Sequence, residues 1–327
     1  MRHVILTGLW CAIVVATLAG PAVAAPTGQM IVSNERDDTL TILDSDLQVI
    51  DTIDTCARPR GMHFSADRSE FYVACADDDQ IAVYGTADLT LRRRIRNVHA
   101  PETFDLHPDG RRLVVSNEED ATASVYDVET GEFLIDFETG EEPEGVQITA
   151  DGRLAFVASE AANLVHVIDL EIGEVVADIL VDTRPRRFAL TPDQSELWVS
   201  AEVAGIVNII DVATLKLTGD ILFTPTGLRR EEVTPVDIVM TADGTRAYVA
   251  LGRANRVAIV DVVQRSVIDY VLVGKRAWGL ALSADEARLF VTNGLSDDMT
   301  VIDTQTLQAV TSIPMGLVPY GILIDDR

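Results

Sequence analysis

Proline recurs at Pro59, Pro101, Pro143, Pro185, Pro235 and Pro319, at spacings of 42, 42, 42, 50 and 84 residues, and each one opens a near-copy of the same passage. A chain that repeats itself about every 40 residues builds one supersecondary unit many times and buries its apolar surface between neighbours, as propellers and solenoids do. The third copy shows the pattern. Phe104 and Leu106 lead to the turn His107-Pro108-Asp109-Gly110, then to Leu113-Val114-Val115-Ser116-Asn117, to the polar Glu118-Glu119-Asp120, and to a strand ending Val125-Tyr126-Asp127. The turn returns as Ser65-Ala66-Asp67-Arg68, Thr149-Ala150-Asp151-Gly152, Thr191-Pro192-Asp193-Gln194, Thr241-Ala242-Asp243-Gly244 and Ser283-Ala284-Asp285-Glu286, with the side-chain acceptors of tight hairpins. Between the turns, apolar residues alternate with small or polar ones over five or six positions. That is a strand period, and nothing after the N-terminal segment sustains a helical one.

The terminal Asp of the third strand falls at Asp44, Asp127, Asp169, Asp211, Asp261 and Asp303, with Gly85 in its place in the second repeat, which makes seven units. The first unit begins at Met30-Ile31-Val32-Ser33-Asn34 and lacks its opening strand. The missing strand stands at the other end of the chain, as Pro319-Tyr320-Gly321-Ile322-Leu323-Ile324-Asp325. Pairing the two removes a pair of open sheet edges, so the predicted fold is all-β: a seven-bladed β-propeller of four-stranded blades, closed by the C-terminal strand joining the N-terminal blade.

Ahead of the ring, Arg2 and His3 precede an apolar run from Val4 to Ala19, then Gly20-Pro21 and Ala22-Val23-Ala24. The run is short for a membrane span and ends in a small-residue cleavage pattern, so residues 1–24 read as a signal peptide and 25–327 as the propeller, periplasmic or secreted after cleavage near Ala24. No later segment is apolar enough to cross a membrane, and a monomer is expected. Removing residues 1–24 takes away one Arg and no acid, leaving 25 basic against 52 acidic residues, a net of −27. Such a field repels nucleic-acid backbones. Cys56 and Cys75 remain as an even pair in an oxidising compartment, near the same end of adjacent strands; a disulfide and two free thiols are both open at this point.

The second-strand segments Phe71-Tyr72-Val73-Ala74-Cys75, Leu113-Val114-Val115-Ser116-Asn117, Leu197-Trp198-Val199-Ser200-Ala201 and Leu289-Phe290-Val291-Thr292-Asn293, each preceded by the Asp turn, resemble the YVTN β-propeller repeat over the whole mature chain. More narrowly, Arg58-Pro59-Arg60-Gly61, Asn117-Glu118-Glu119-Asp120, Arg184-Pro185-Arg186-Arg187, Leu251-Gly252-Arg253-Ala254-Asn255 and Asn293-Gly294-Leu295-Ser296-Asp297-Asp298 resemble the exported propellers associated with PQQ-dependent alcohol catabolism. That resemblance implies a non-catalytic accessory role beside a periplasmic quinoprotein dehydrogenase or a transport-system component, and it supplies no catalytic residue. Other seven-bladed relatives are lactonases or carry haem d1, which implies the alternative of a lactonase-like or other sugar-acid hydrolase.

In the repeat frame the residues following the opening prolines, or their equivalents, are Arg60, Glu102, Glu144, Arg186, Val236, Trp278 and Tyr320. Second strands end at the same rim, where Glu35, Glu118, Glu160 and Glu202 follow. Arg60, Arg186, Arg187 and Arg276 would then hold a carboxylate or an acidic partner, with Glu102 and Glu144 between them and Trp278 and Tyr320 as an apolar wall across the ring. The competing expectation is that these Arg and Glu pair with each other. Arg186 falls in a loop and Arg187 at a strand start, so replacing both by Ala is expected to spare the fold. The wider 185-to-235 spacing inserts eight residues within 223–234, putting Arg229 and Arg230 on the same rim as lid, partner contact or tolerated surface insertion. The rim glutamates match no calcium loop, and G-x-S-x-G, H-E-x-x-H, a phosphate loop and C-x-x-C-H are missing, so no metal, cofactor or catalytic residue is expected. His63 and His166 read as packed strand residues.

Overall fold

The computed structural model describes residues 24–327, so the signal-peptide reading lies, apart from Ala24, outside the described residues. Seven four-stranded antiparallel sheets form the ring, and the first assembles Pro319–Ile324, Met30–Asn34, Thr39–Leu43 and Val49–Asp54 in that order. Met30 pairs with Ile324, Ile31 with Leu323 and Val32 with Ile322, so the orphan strand closes the ring as its sequence predicts. We number this blade 1 and the rest in chain order. Their inner strands are Pro59–Phe64, Pro101–Leu106, Pro143–Ile148, Pro185–Leu190, Ile238–Met240 and Ala277–Leu282.

The repeated polar residues hold the hairpins. Asp67, Asp193 and Asp285 each accept the backbone N–H two residues on, at 3.0, 3.1 and 3.0 Å, and so fix the first turn of their blades. The next residue is left-handed, and where other blades use Gly110, Gly152 and Gly244, three use Arg68, Gln194 and Glu286 at φ of +58°, +60° and +56°. That conformation costs a non-glycine residue roughly 1–2 kcal/mol. Each of the three side chains offsets it by gripping the preceding blade: Arg68 donates to Asp325 at 3.0 Å, while Gln194 and Glu286 accept the Ala150 and Ala242 N–H at 2.9 and 2.6 Å.

Apolar residues on both faces of the middle strands form the cores between blades. Phe71, Tyr84, Ile31 and Ile42 fill the space between blades 1 and 2, and Trp198, Val249 and Val260 that between blades 5 and 6. A disulfide joins Cys56, in the connection into blade 2, to Cys75 at the end of that blade's second strand, with Cα atoms 5.6 Å apart. Among the described residues no helix is long and apolar enough to cross a membrane.

Two local features place the inner strands. A hydroxyl from the second strand donates to the backbone carbonyl of the residue after the opening proline, or its equivalent, in the next blade: Ser33 to Arg60, Ser116 to Glu144, Ser200 to Val236 and Thr292 to Tyr320. At Gly145 a Cβ would come within 2.1 Å of the Arg186 carbonyl, so this close approach of neighbouring inner strands requires glycine.

Candidate functional site: a plugged central channel

Six of the seven inner strands start with a bulge, the exception being Ile238–Met240 of blade 6. Pro185 pairs with Ala201 but Phe188 with Val199, so one extra residue lies on the inner side, and the same shift occurs at Pro59, Pro101, Pro143 and Ala277. A bulge re-aims neighbouring side chains. Arg186 and Arg187 therefore both reach into the channel although they are consecutive, and Arg186 lies within the strand rather than in the loop expected from the sequence.

The residues after the opening prolines form a layer that plugs the channel. Arg186, 4 % exposed, binds three carboxylates: Glu160 at 2.6 Å, Glu144 at 3.0 Å and Glu202 at 3.2 Å. Above it Arg184 pairs with Glu160 at 2.7 Å and Glu202 at 3.2 Å, and Arg276 reaches Glu202 at 3.2 Å. On the other side Arg60 pairs with the fully buried Glu102, which Arg58 also reaches at 3.3 Å. The aromatic residues sit between guanidiniums. Trp278 lies between Arg186 and Arg276, at 4.9 and 4.7 Å from its centroid, and Tyr320 between Arg60 and Arg187, at 4.7 and 5.2 Å. Arg187 donates to the Tyr320 hydroxyl, which donates to Glu144 at 3.2 Å across the ring.

The rim candidates are thus brought together, and they bind one another. Burial pushes the Glu144 carboxyl up, but the Arg186, Arg60 and Arg187 guanidiniums outweigh it and hold the group at about 2. Glu160 goes the other way: desolvation, then the neighbouring Glu144 charge, push it up to about 8 against the pull of Arg186 and Arg184. Despite its burial Arg186 is raised, because Glu144, Glu160 and Glu202 surround it. The rim insertion is anchored rather than hinged. Val233 and Phe223 are buried in the core, Arg230 donates to the Ala204 carbonyl at 3.1 Å, and Arg229 pairs with Glu231 and Glu232.

Beneath the plug lies a cavity of about 210 Å³ whose wall includes His63, Gln147, Arg187, Asp237, Trp278 and Tyr320. The His63 ring leans on Phe104 at 5.2 Å, and its Nδ1 stands 3.9 Å from Asp105 Oδ1. Asp105 is fixed from the next blade, accepting the Ile148 N–H at 2.8 Å and the Gln147 amide at 3.0 Å. Asp237 is fixed similarly, by the Leu280 and Ile238 N–H groups at 2.9 and 3.0 Å. Desolvation lowers the His63 pKa, Asp105 opposes the shift and Arg187 adds to it, so the imidazole is neutral at pH 7. Desolvation raises both carboxyls; His63 opposes it at Asp105, and Arg187 at Asp237. The arrangement supplies a proton acceptor, a cation and hydroxyl-binding groups around one small space.

The sequence alone does not mark Arg58, Arg184, Asp105, Gln147 or Asp237 as site residues, and in it His63 reads as a packed strand residue. One signal was present: polar side chains at alternate positions of an otherwise apolar inner strand, as in His63 and Asp105, face whatever that strand encloses.

The fold and channel define a seven-bladed β-propeller with a plugged axis. The chain belongs to the YNCE-like beta-propeller family, whose model matches residues 23–281. No curated protein matches the sequence. Among solved structures, the periplasmic gluconolactonase of Pseudomonas aeruginosa superposes with a TM-score of 0.78 at 17% identity, covering 91% of this chain and 99% of its own. A functionally unknown protein from Desulfotomaculum acetoxidans gives the same four figures: 0.78, 17%, 91% and 99%. A putative 6-phosphogluconolactonase from Bacteroides uniformis gives 0.76 at 16%, covering 90% and 98%. At these identities the likeness is one of fold.

Proposed function

We propose that the protein takes a small sugar-acid lactone into the cavity beneath the plug and hydrolyses it. The observation that carries this reading is His63, neutral and oriented towards Asp105, on the wall of a cavity that also presents Arg187. Water attacks the acyl carbon while His63 takes its proton, and the Arg187 guanidinium stabilises the charge that develops on the carbonyl oxygen. The acyl carbon to ring oxygen bond then breaks, and the departing alkoxide takes the proton from His63. A fold shared with a gluconolactonase and a putative 6-phosphogluconolactonase supports the reaction class. In a pH-stat assay over a panel of aldonolactones, His63→Ala is expected to lower the rate by about 10²–10⁴-fold with the fold intact. Because burial lowers its pKa, activity should be half-maximal below pH 6.5 and level above it. A His63→Ala protein as active as the parent would end this reading.

A second reading keeps the exported accessory protein, docking a quinoprotein dehydrogenase or transport component by its rim. It is favoured by Arg229, whose side chain is 74% exposed on the insertion. Capture of such a partner from the periplasm, lost in Arg229→Ala/Arg230→Ala, is its test; unchanged capture by that variant removes the rim as the docking surface.

A further inference from the structure

The charge on the cavity wall decides which lactones can enter, an inference that rests on the lactone reading above. Arg187 is the one cationic side chain among the described residues lining the cavity. It is not free: Glu144 lies 3.5 Å from its Nε, and its Nη2 donates to Tyr320. Asp237 stands on the same wall, within the electrostatic reach of Arg187, and Asp105 backs His63 at 3.9 Å. Among the described residues no second guanidinium or ammonium, and no helix N-terminus, faces the cavity to form the multidentate clamp that a phosphate ester calls for. The other rim arginines that could serve, Arg60 and Arg186, are held by carboxylates in the plug. Outside the cavity, a chain with formal net charge −26 repels anions on approach. What the wall does offer suits hydroxyl groups: carboxylate and amide oxygens of Asp237 and Gln147, the His63 imidazole, and the Trp278 and Tyr320 rings as faces for C–H groups.

We infer that the cavity selects an uncharged polyhydroxy lactone, one bearing neither phosphate nor a free carboxylate. The phosphoryl dianion would face Asp237 with no unshared cation, and the neutral sugar ring would lose nothing by the same placement.

The test compares δ-gluconolactone with its 6-phosphate ester on the purified mature chain by pH-stat at low and high salt. The uncharged substrate is expected to be favoured in kcat/KM by at least about a hundredfold at low salt, with a smaller gap at high salt. Asp237→Asn, which removes one facing charge, should narrow the gap by about tenfold. Equal rates, or preference for the phosphate ester, would overturn the inference and leave the lactone reading standing. If neither lactone is hydrolysed, the lactone reading falls, and selection is read by calorimetric titration with 1,5-anhydroglucitol and its 6-phosphate. Binding of the neutral compound alone upholds the charge selection; binding of the phosphate, or of neither, overturns it.

Discussion

The plug and the cavity below it are adjacent layers of one channel, yet they use charge differently. In the plug every candidate guanidinium is matched: Arg186 has three carboxylates, Arg60 has Glu102, and the aromatic rings fill the gaps between cations. In the cavity layer Asp237, on the wall, and Asp105, beside His63, are each tied to backbone N–H groups of their own and of the next blade, and His63 keeps 43% of its side chain accessible. Paired buried charges resist change, because removing one member leaves the others desolvated; the match is one of charge, since the Arg60 and Arg186 Nε–H groups and the Trp278 indole N–H have no hydrogen-bond partner. Groups that line open space, as His63, Gln147 and Asp237 do, can hydrogen-bond a ligand without breaking such pairs. Stability therefore belongs to the upper layer and, on the proposed lactone reading, chemistry to the lower one.

The largest effect should come from removing what both layers share. Deleting residues 318–327 takes away the closing strand, and with it Tyr320 from the plug and part of the cavity wall; aggregation or loss of cooperative unfolding is expected in a chemical denaturation series. A truncated chain with the parent's transition would break the ring itself. Next is Arg186→Ala, which strands Glu144, Glu160 and Glu202 and should cost about 3–5 kcal/mol in the same measurement. This reverses the expectation from the sequence that the Arg186 and Arg187 positions tolerate Ala. Arg111→Ala, its side chain 79% exposed, is the charge-matched control and should leave the transition in place. If His63→Ala destabilises as much as Arg186→Ala, the division between the layers is wrong.

The disulfide sharpens the comparison at blade 2, which supplies Arg60 to the plug and His63 to the cavity. With its cysteines 19 positions apart in sequence, replacing both by Ala should cost about 3 kcal/mol while leaving lactone turnover of the folded protein unchanged. A fall in turnover at a temperature where the variant is fully folded would show that the crosslink positions His63.

The smallest expected effect is on pH dependence. Glu160 binds its proton more tightly in the folded state than the ordinary carboxylate value of 4.5, with its pKa raised to about 8, so its contribution is full below pH 4.5 and is lost as pH rises through about 8. Glu144, held at about 2, contributes above pH 4.5 and loses that contribution as pH falls towards 2. Melting temperature against pH should therefore decline on both sides of a maximum, and Glu160→Gln should flatten the alkaline side alone. An unaltered alkaline limb in that variant would place the titration elsewhere.

The sequence by itself determined the ring. Spacing of prolines and aspartates counted seven units, and the orphan strand at Pro319 had a single vacancy to fill, because strand pairing is local, periodic and repeated. The residues of the plug were also legible, since the position after each proline repeats with the blade. What those residues do to one another was decided only in three dimensions. Glu144 from blade 4 meets Tyr320 from blade 1, 176 residues away, and Arg187 reaches the same hydroxyl over 133 residues. No repeat period encodes such contacts across the axis, because they depend on the ring's radius and on a one-residue bulge that turns consecutive arginines inward. The cavity was hidden for the same reason: His63, Gln147, Arg187 and Asp237 come from four blades and share no motif, only a common axis.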